Sequence, residues 1–468
     1  MMHRVLFSVM LSLWAICGPS WVLAQQSAGD RNAASLKEKL AQHVGTLAYV
    51  YGYPMVDMRR QMHNETNRVS PTQQAYAPVN HFYSYDYLVT PATAGNLRGP
   101  NNDTLYFGGW FDLTQEPVIV HAPDTAGRYY TLAITDFYAE SHHVGHRTTG
   151  TLEKYFALVG PGWKGKLPPY VHAVKVPTPQ VWILGRMLVV GEADFPKAHG
   201  LIKQFWAAPL SEFKPNSPLR KAPPETRAEA INPMETLDFF KHLNAWLRTH
   251  PGESDERALM GLFDQIGIGP GQKFEMDQLD EATRRGLTQA LKEGAAMVQL
   301  ASQSTMKDIR NGWTFVTNLG KYDKDYLLRA SVVKNGYANA AEESTYAAQL
   351  FDEKGQFLSG TKSYELRLAP HEIPPAGAFW SIVAYDLKTA QFMENPIKRY
   401  SMGDRTPGMK INADGTLSLH IQHKQPDEGV SNWLPVGPNE FYLVMRIYEP
   451  KPSVFDGTYR PATLREKR

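Results

Sequence analysis

The apolar runs of this chain are short, and turn residues bound them. The segments 118–123, 128–134, 182–190, 379–386, 417–421 and 441–448 are dominated by β-branched, aromatic and leucine side chains, the composition of strands. Asp124-Thr125-Ala126-Gly127 and Asn412-Ala413-Asp414-Gly415 carry turn chemistry beside them. With 33 prolines and 36 glycines spread along 468 residues, no long uninterrupted helical core is available. The pattern predicts a mostly β architecture.

Helical spacing is confined to a few stretches. Leu36, Leu40, Val44, Leu47 and Ala48 recur at a helical period over 34–51, and Gly52, Tyr53 and Pro54 are expected to bend that helix. Residues 194–207, 234–249, 254–265 and 276–304 also show helical spacing, and 215–224 read as a linker. The expected fold is mainly β with a helical middle: two β-sandwich-like, jelly-roll-type domains joined by a helical segment. The expected divisions are 1–24 as a signal peptide, 34–193 as an N-terminal β domain with a leading helix, 194–325 as the helical middle, and 326–468 as a C-terminal β domain. The sequence shows no internal repeat and no low-complexity tract.

The beginning of the chain has the form of a secretion signal. A short basic start at residues 1–4 precedes an apolar stretch at 5–22, interrupted by Gly18 and Pro19. Val22-Leu23-Ala24 supplies a small-residue cleavage pattern, so the mature chain is expected to begin near Gln25. A retained anchor is disfavoured, because a span wants roughly 20 apolar residues. The expected location is the periplasm or the outside of a bacterial cell, with no integral membrane segment after cleavage. The one cysteine, Cys17, lies within this leader and follows Ile16 rather than the small residue of a lipoprotein signal. A mature chain without thiols has no disulfide, thiolate metal site or cysteine nucleophile. Lys and Arg total 49 against 47 Asp and Glu, with no long run of one sign, which argues against nucleic acid or an anionic membrane as the partner.

Several segments match one pattern: 48–54 (Ala-Tyr-Val-Tyr-Gly-Tyr-Pro), 102–106 (Asn-Asp-Thr-Leu-Tyr), 127–130, 136–138 and 147–150. In the second half they are Phe379-Trp380-Ser381, Tyr385-Asp386, Asn395, Asp414-Gly415, Asn432-Trp433-Leu434-Pro435 and 446–450. Together they resemble the paired families known as domains of unknown function twelve fifty-four (N-terminal) and twelve fourteen (C-terminal), over roughly residues 40 to 462. The resemblance implies a bacterial exported protein of β-sandwich-like domains joined by helices. It implies no particular reaction and transfers no catalytic residue.

Chemistry must therefore be read from the residues. Gly99-Pro100-Asn101-Asn102-Asp103-Thr104-Leu105-Tyr106 opens a polar turn and ends in an aromatic strand. Asp103 is the first candidate base, with Asn102 and Tyr106 as substrate contacts. The plainer alternative is that the Asx residues cap the turn. Asp136, Tyr138, His142, His143 and His146 form the one histidine-rich stretch. Asp136 and His142 are further catalytic candidates. A divalent metal on the histidines is a lesser alternative, and no cofactor is assigned. Arg128 and Arg147 are candidate anion clamps, with Arg186 beside them and Arg329, Arg399 and Arg446 raising the same question later. Pairing with a buried Asp is the competing role, and anion binding takes precedence only where two arginines converge in one pocket. The tryptophans are expected in the core, apart from Trp433, whose Pro-bounded loop suggests a ligand-stacking surface. Phosphate-loop, dinucleotide-binding, His-Glu-x-x-His and Gly-x-Ser-x-Gly motifs are all missing. The reading is an exported enzyme using acid–base or hydrolytic chemistry on a small polar or carbonyl-bearing molecule. The alternatives are a non-catalytic glycan or glycolipid binding protein of the cell envelope, and a structural or assembly protein. A homo-oligomer is left open.

Overall fold

The computed structural model describes residues 11–94, 99–215, 221–250, 252, 254–304 and 308–467, with side chains from Asp30 onward and Ser304 excepted. The signal-peptide reading rests on residues 1–24, which lie outside the described side chains. Two compact units divide the chain: one takes Met1–Val56 with Asn232–Val298, the other Asp57–Ile231 with Gln299–Arg468.

The first unit is helical. It contains much of the helix Leu11–Thr66, with Asp238–Leu247, Arg257–Asp264 and most of Glu281–Ser304. Glycines let its helices approach closely. A Cβ at Gly286 would lie 2.3 Å from the Glu38 carbonyl oxygen, one at Gly294 2.5 Å from the Tyr49 ring, and one at Gly52 2.7 Å from Leu243. Gly52 therefore serves close contact, and the helix expected to end near residue 51 continues through Tyr53 and Pro54. A proline inside a helix costs about 3 kcal/mol. Tyr49, Tyr51, Met55 and Val56 are all buried around it, and each contributes roughly 1.5–3 kcal/mol by leaving water. Burial outweighs the lost hydrogen bond, so the helix continues past the proline.

The second unit holds two β-sandwiches. The strands of the first are β1 (Tyr83–Ser84), β2 (Thr104–Asp112), β3 (Val118–Ala122), β4 (Tyr130–Asp136), β5 (Ser141–Gly145), β6 (Lys154–Val159), β7 (Val171–Lys175), β8 (Gln180–Leu188) and β9 (Trp206–Pro209). They form sheets of order β1-β2-β8-β4-β5 and β7-β6-β3-β9. Phe107 and Phe111 of β2, Leu132 of β4 and Ile183 of β8 meet Val118 and Val120 of β3 and Phe156 of β6 in one core.

The second sandwich uses β10 (Asp308–Arg310), β11 (Trp313–Val316), β12 (Ser344–Gln349), β13 (Leu358–Ser359), β14 (Tyr364–Leu368), β15 (Ala376–Asp386), β16 (Ser401–Gly403), β17 (Leu417–Gln422), β18 (Trp433–Pro435), β19 (Glu440–Pro450) and β20 (Leu464–Glu466). One sheet runs β10-β11-β12-β19-β15-β16, with β13 also on β19, and the other runs β18-β17-β14-β20. All pairs are antiparallel except β6 with β7 and β17 with β18. Trp313, Ile382, Met445 and Ile447 pack against Tyr364, Leu366, Leu419 and Ile421 between the layers.

The mainly β class and the helical middle agree with expectation. Three segments lie elsewhere than expected. Only Phe195–Ile202 is helical within 194–207, because Trp206 onward pairs with β3 as β9. β10 and β11 belong to the C-terminal sheet although they precede residue 326. The leading helix up to Val56 groups with 232–298 rather than with the first β domain. Short apolar stretches satisfy either periodicity, and the available pairing partner decides among them. Among the described residues no helix is long and apolar enough to cross a membrane.

Two helical glycines give opposite predictions. Gly286→Ala has backbone in its way and should destabilise the protein by about 1–3 kcal/mol. Gly261 lies in the helix Arg257–Asp264 with nothing within 4 Å of a new Cβ. Gly261→Ala should stabilise it by about 0.5–1 kcal/mol. Denaturant titration followed by far-ultraviolet circular dichroism reads both signs.

Candidate functional site

The turn before β2 is pinned to the second sandwich. The Asn101 side-chain oxygen accepts the Asp103 N–H at 2.6 Å, an Asx turn, while its Nδ2 donates to the Tyr448 hydroxyl at 2.6 Å. The Asp103 carboxylate accepts from Ser381 Oγ at 2.6 Å, Ser401 Oγ at 3.3 Å and Arg405 Nη2 at 3.4 Å. Arg446 Nη2 donates to the carbonyls of Gly99 (2.9 Å) and Pro100 (3.2 Å) and to the Tyr385 hydroxyl (2.6 Å). Tyr385 in turn donates to the Pro100 carbonyl. The turn is thus bonded to residues of β15, β16 and β19 and to Arg405, and Asn102 Oδ1 is buried without a hydrogen-bond partner.

One side of this turn faces a cavity of about 620 Å³. Tyr83, Tyr85, Tyr87, Trp182, Tyr346 and Tyr385 line it, and Arg186 and Arg446 both reach it. Arg186 lies on β8 opposite Tyr106 of β2, and Arg446 lies on β19 opposite Tyr346 of β12. The guanidinium of Arg186 is 5.4 Å from the Tyr106 ring centre and that of Arg446 is 5.5 Å from the Tyr346 ring centre. Each is only 7% exposed. Arg186 Nη1 donates to Asn339 Oδ1 at 2.5 Å, and Arg446 Nε has no hydrogen-bond partner. Among the described residues, neither arginine makes an ion pair. Burial works against both charges, but nearby phenols outweigh it and push both above the ordinary arginine value: Tyr106, Tyr346 and Tyr448 at Arg186, and Tyr385 ahead of Tyr448, Tyr346 and Tyr106 at Arg446. Burial also pushes the Tyr385 and Tyr448 phenols above their ordinary value. They remain neutral donors at physiological pH.

Glu65, in the last turn of the helix Leu11–Thr66, lines the same cavity. Its Oε2 accepts the Trp110 indole N–H at 2.7 Å. Burial pushes this carboxyl from its ordinary 4.5 up to about 7, against the pull of Trp110 and Arg60 and with a small push from Asp57. A carboxyl at that value exchanges protons near neutrality.

A second cavity of about 570 Å³ lies on the other face of the turn, lined by Asn102, Asp103, Arg399, Tyr400 and Arg405. Asn101 borders the first cavity and Asp103 the second. Of the sequence candidates, Tyr106 lines the arginine cavity, whereas Asn102 and Asp103 face the other. Asp103 is held in place by two hydroxyls and a guanidinium rather than standing free.

The remaining candidates hold structure together. Arg128 makes two bonds to Asp194, at 2.5 and 2.7 Å, and Arg147 binds Glu343 at 2.8 Å. Asp136 is fully buried and accepts the N–H groups of Tyr138 and Glu140, closing the turn after β4. Its other oxygen lies 3.2 Å from His142 Nε2. The histidines scatter: His143 meets Thr131 and the Ala340 N–H, and His146 meets Glu449 at 2.7 Å. Residue 146 begins a short helix, so strand alternation does not carry His142 and His146 onto one face. Among the described residues no three His, Asp or Glu form a metal-ligating group. Trp433 is 2% exposed and donates its indole N–H to the Gln422 carbonyl, so it packs in the sandwich as strand β18 and offers no stacking surface. The condition of two arginines converging in one pocket is met by Arg186 and Arg446. Glu65, Tyr83 and Tyr85 carried no local signal, because their approach to Arg186 and Arg446 is made by the fold.

Two family models match the chain: Protein of unknown function (DUF1254) over residues 79–209, and Protein of unknown function (DUF1214) over residues 343–452. The first contains Arg186 and the second Arg446. Among solved structures, the VPA0106 protein from Vibrio parahaemolyticus is 24% identical with a TM-score of 0.69, over 92% of this chain and 100% of its own. That likeness is one of fold. An uncharacterized protein from Burkholderia cenocepacia is 11% identical over 96% of this chain and 98% of its own, with a TM-score of 0.43, too low to support an argument. No curated protein matches.

The Glu65 carboxyl links stability to pH. Its pKa is raised in the folded state, so the unfolded chain releases the proton first and stability falls as pH rises from about 4.5 to about 7. Glu65→Gln should match the parent near pH 4.5 and exceed it at pH 8 by about 3 kcal/mol. Thermal unfolding at the two pH values tests the sign.

Proposed function

For a chain that belongs to the family pairing DUF1254 with DUF1214, we propose that activity resides in the tyrosine-walled cavity and that the protein is an acid–base enzyme acting on a small organic anion. The observation carrying this reading is the convergence of two buried guanidinia, neither with a carboxylate, on one cavity. A buried charge left unpaired costs several kcal/mol, and an anionic ligand removes that cost. Arg186 and Arg446 hold the anionic group, the tyrosine phenols donate to it or to a neighbouring carbonyl, and Glu65 gives or takes the proton. Hydrolysis and proton abstraction beside a carbonyl both suit this set. Asp103 shapes the wall from the far side of the turn, and Asp136 with His142 stays outside the reacting group. The leader-like residues 1–24 add the reading that this chemistry takes place in the periplasm or outside the cell.

The aromatic flank of Tyr83, Tyr85, Tyr87 and Trp182 favours a second reading, a non-catalytic receptor that stacks on its ligand, a glycan included. One experiment separates the two. A pool of small organic acids is incubated with the protein and followed by mass spectrometry. Consumption of one acid is expected, with KM raised at least about tenfold by Arg446→Gln and kcat lowered about a hundredfold by Glu65→Gln. Unchanged turnover in both variants would sink the assignment, and saturable binding without product would establish the receptor.

A further inference from the structure

We infer that the cavity takes up a proton together with its ligand, and that the ligand is a dianion on a flat, unsaturated body. This rests on the reading that an organic anion occupies the cavity. The ionisable side chains lining it, phenols aside, are Arg186, Arg446 and Glu65. Both guanidinia line the one cavity, and the phenols of Tyr106, Tyr346 and Tyr448 influence each of them, so the two positive charges lie in one electrostatic neighbourhood. With Glu65 protonated the lining carries two positive charges and no negative one. A ligand with two negative charges neutralises it, and an ionised Glu65 would then be a third negative group in the same space.

Glu65 is suited to yield. On its own helix it faces Arg60, which favours the ionised form, and Asp57, which opposes it. From β2 it receives the Trp110 indole N–H, and the phenols of Tyr83 and Tyr85 sense its charge from the β1 segment. Burial dominates this set and leaves the carboxyl partly protonated at neutral pH. An arriving anion opposes the ionised form further, so Glu65 picks up a proton as the ligand binds. The shape of the ligand follows from the aromatic part of the lining. Tyr83, Tyr85 and Tyr87 stand edge to face in sequence, with ring centres 5.9 and 5.6 Å apart. Trp182 extends the aromatic surface, and a planar body packs on such rings better than a bulky saturated one.

Isophthalate, a benzene ring with two carboxylates ionised throughout the working pH range, is the probe, with benzoate as the monoanion and benzamide as the neutral control. Calorimetry on the full chain between pH 6 and 8.5, in two buffers of different ionisation enthalpy, reads affinity and proton uptake together. Isophthalate should bind more tightly than benzoate, and benzamide should not bind. Isophthalate affinity should fall by up to about tenfold per pH unit above 7, with net proton uptake. Glu65→Gln should abolish the uptake and hold the affinity at its low-pH value. If that variant does not fold, proton uptake by the unaltered protein in the two buffers decides. Isophthalate binding that Arg446→Gln abolishes, but that is independent of pH and releases or takes up no proton, would overturn this inference and leave the anion reading standing. Binding of neither anion at any pH would overturn both.

Discussion

Arg446 is a cation in the middle of a β-sheet with no carboxylate to balance it, and the arrangement of the larger unit follows from how that charge is accommodated. Its Nη2 spends its hydrogens on the carbonyls of Gly99 and Pro100 and on the Tyr385 hydroxyl. Hydrogen bonds to a charged group contribute about 1.5–3 kcal/mol each, comparable with the several kcal/mol that burying an unpaired ion costs. The charge is tolerable only while the turn stays in place. The turn is held from its other side by Asp103 on Ser381, Ser401 and Arg405. A strand of the first sandwich is therefore delivered in a defined register, with Tyr106 opposite Arg186 and Trp110 within reach of Glu65.

That register makes the electrostatics of the cavity a property of both sandwiches. Arg186 comes from the centre of the first and Arg446 from the centre of the second, and Asn339 and Tyr448 are held across between them by Arg186 and Asn101. The tyrosine-walled cavity takes one of its two arginines from each sandwich. The two matched families each cover one of these arginines, which gives a physical reason for finding them in one chain. The phenols complete the arrangement. Burial keeps Tyr385 and Tyr448 neutral, so the hydroxyl that accepts from Arg446 stabilises it through its dipole without cancelling the charge that a ligand would meet.

How much of this was legible in the sequence differs by level. The central strands were, because Trp182–Leu188, Phe379–Asp386 and Phe441–Tyr448 are too rich in β-branched and aromatic residues to be anything else. Trp206–Pro209 was not, since four residues after a helix have no periodicity of their own and only the exposed edge of β3 makes them a strand. The helix continuing through Pro54 was missed because the burial that overrides the proline comes from the packed helices of 232–298. Among the residues lining the cavity, Tyr106 was named from its motif, and Arg186 and Arg446 were among the arginines named for convergence. His142, His143 and His146, the densest chemical signal in the chain, turned out to serve three separate neighbours. Proximity in sequence is no guide to convergence when successive strand residues point to opposite faces.

The sequence by itself determined the materials: a chain of nearly balanced charge, with strands at predictable places, and a turn whose Asx residues had to be held by something. Those properties are local, set by backbone sterics and by which side chains prefer water. Tertiary structure alone decided which charges would go without partners. Arg128 and Arg147 found Asp194 and Glu343, whereas Arg186 and Arg446 found phenols and carbonyls, and Glu65 was brought from the end of a helix to a place where burial holds its proton. Pairing and desolvation depend on distances between residues hundreds of positions apart, so the same arginine codon is a strut in one place and an open cation in another.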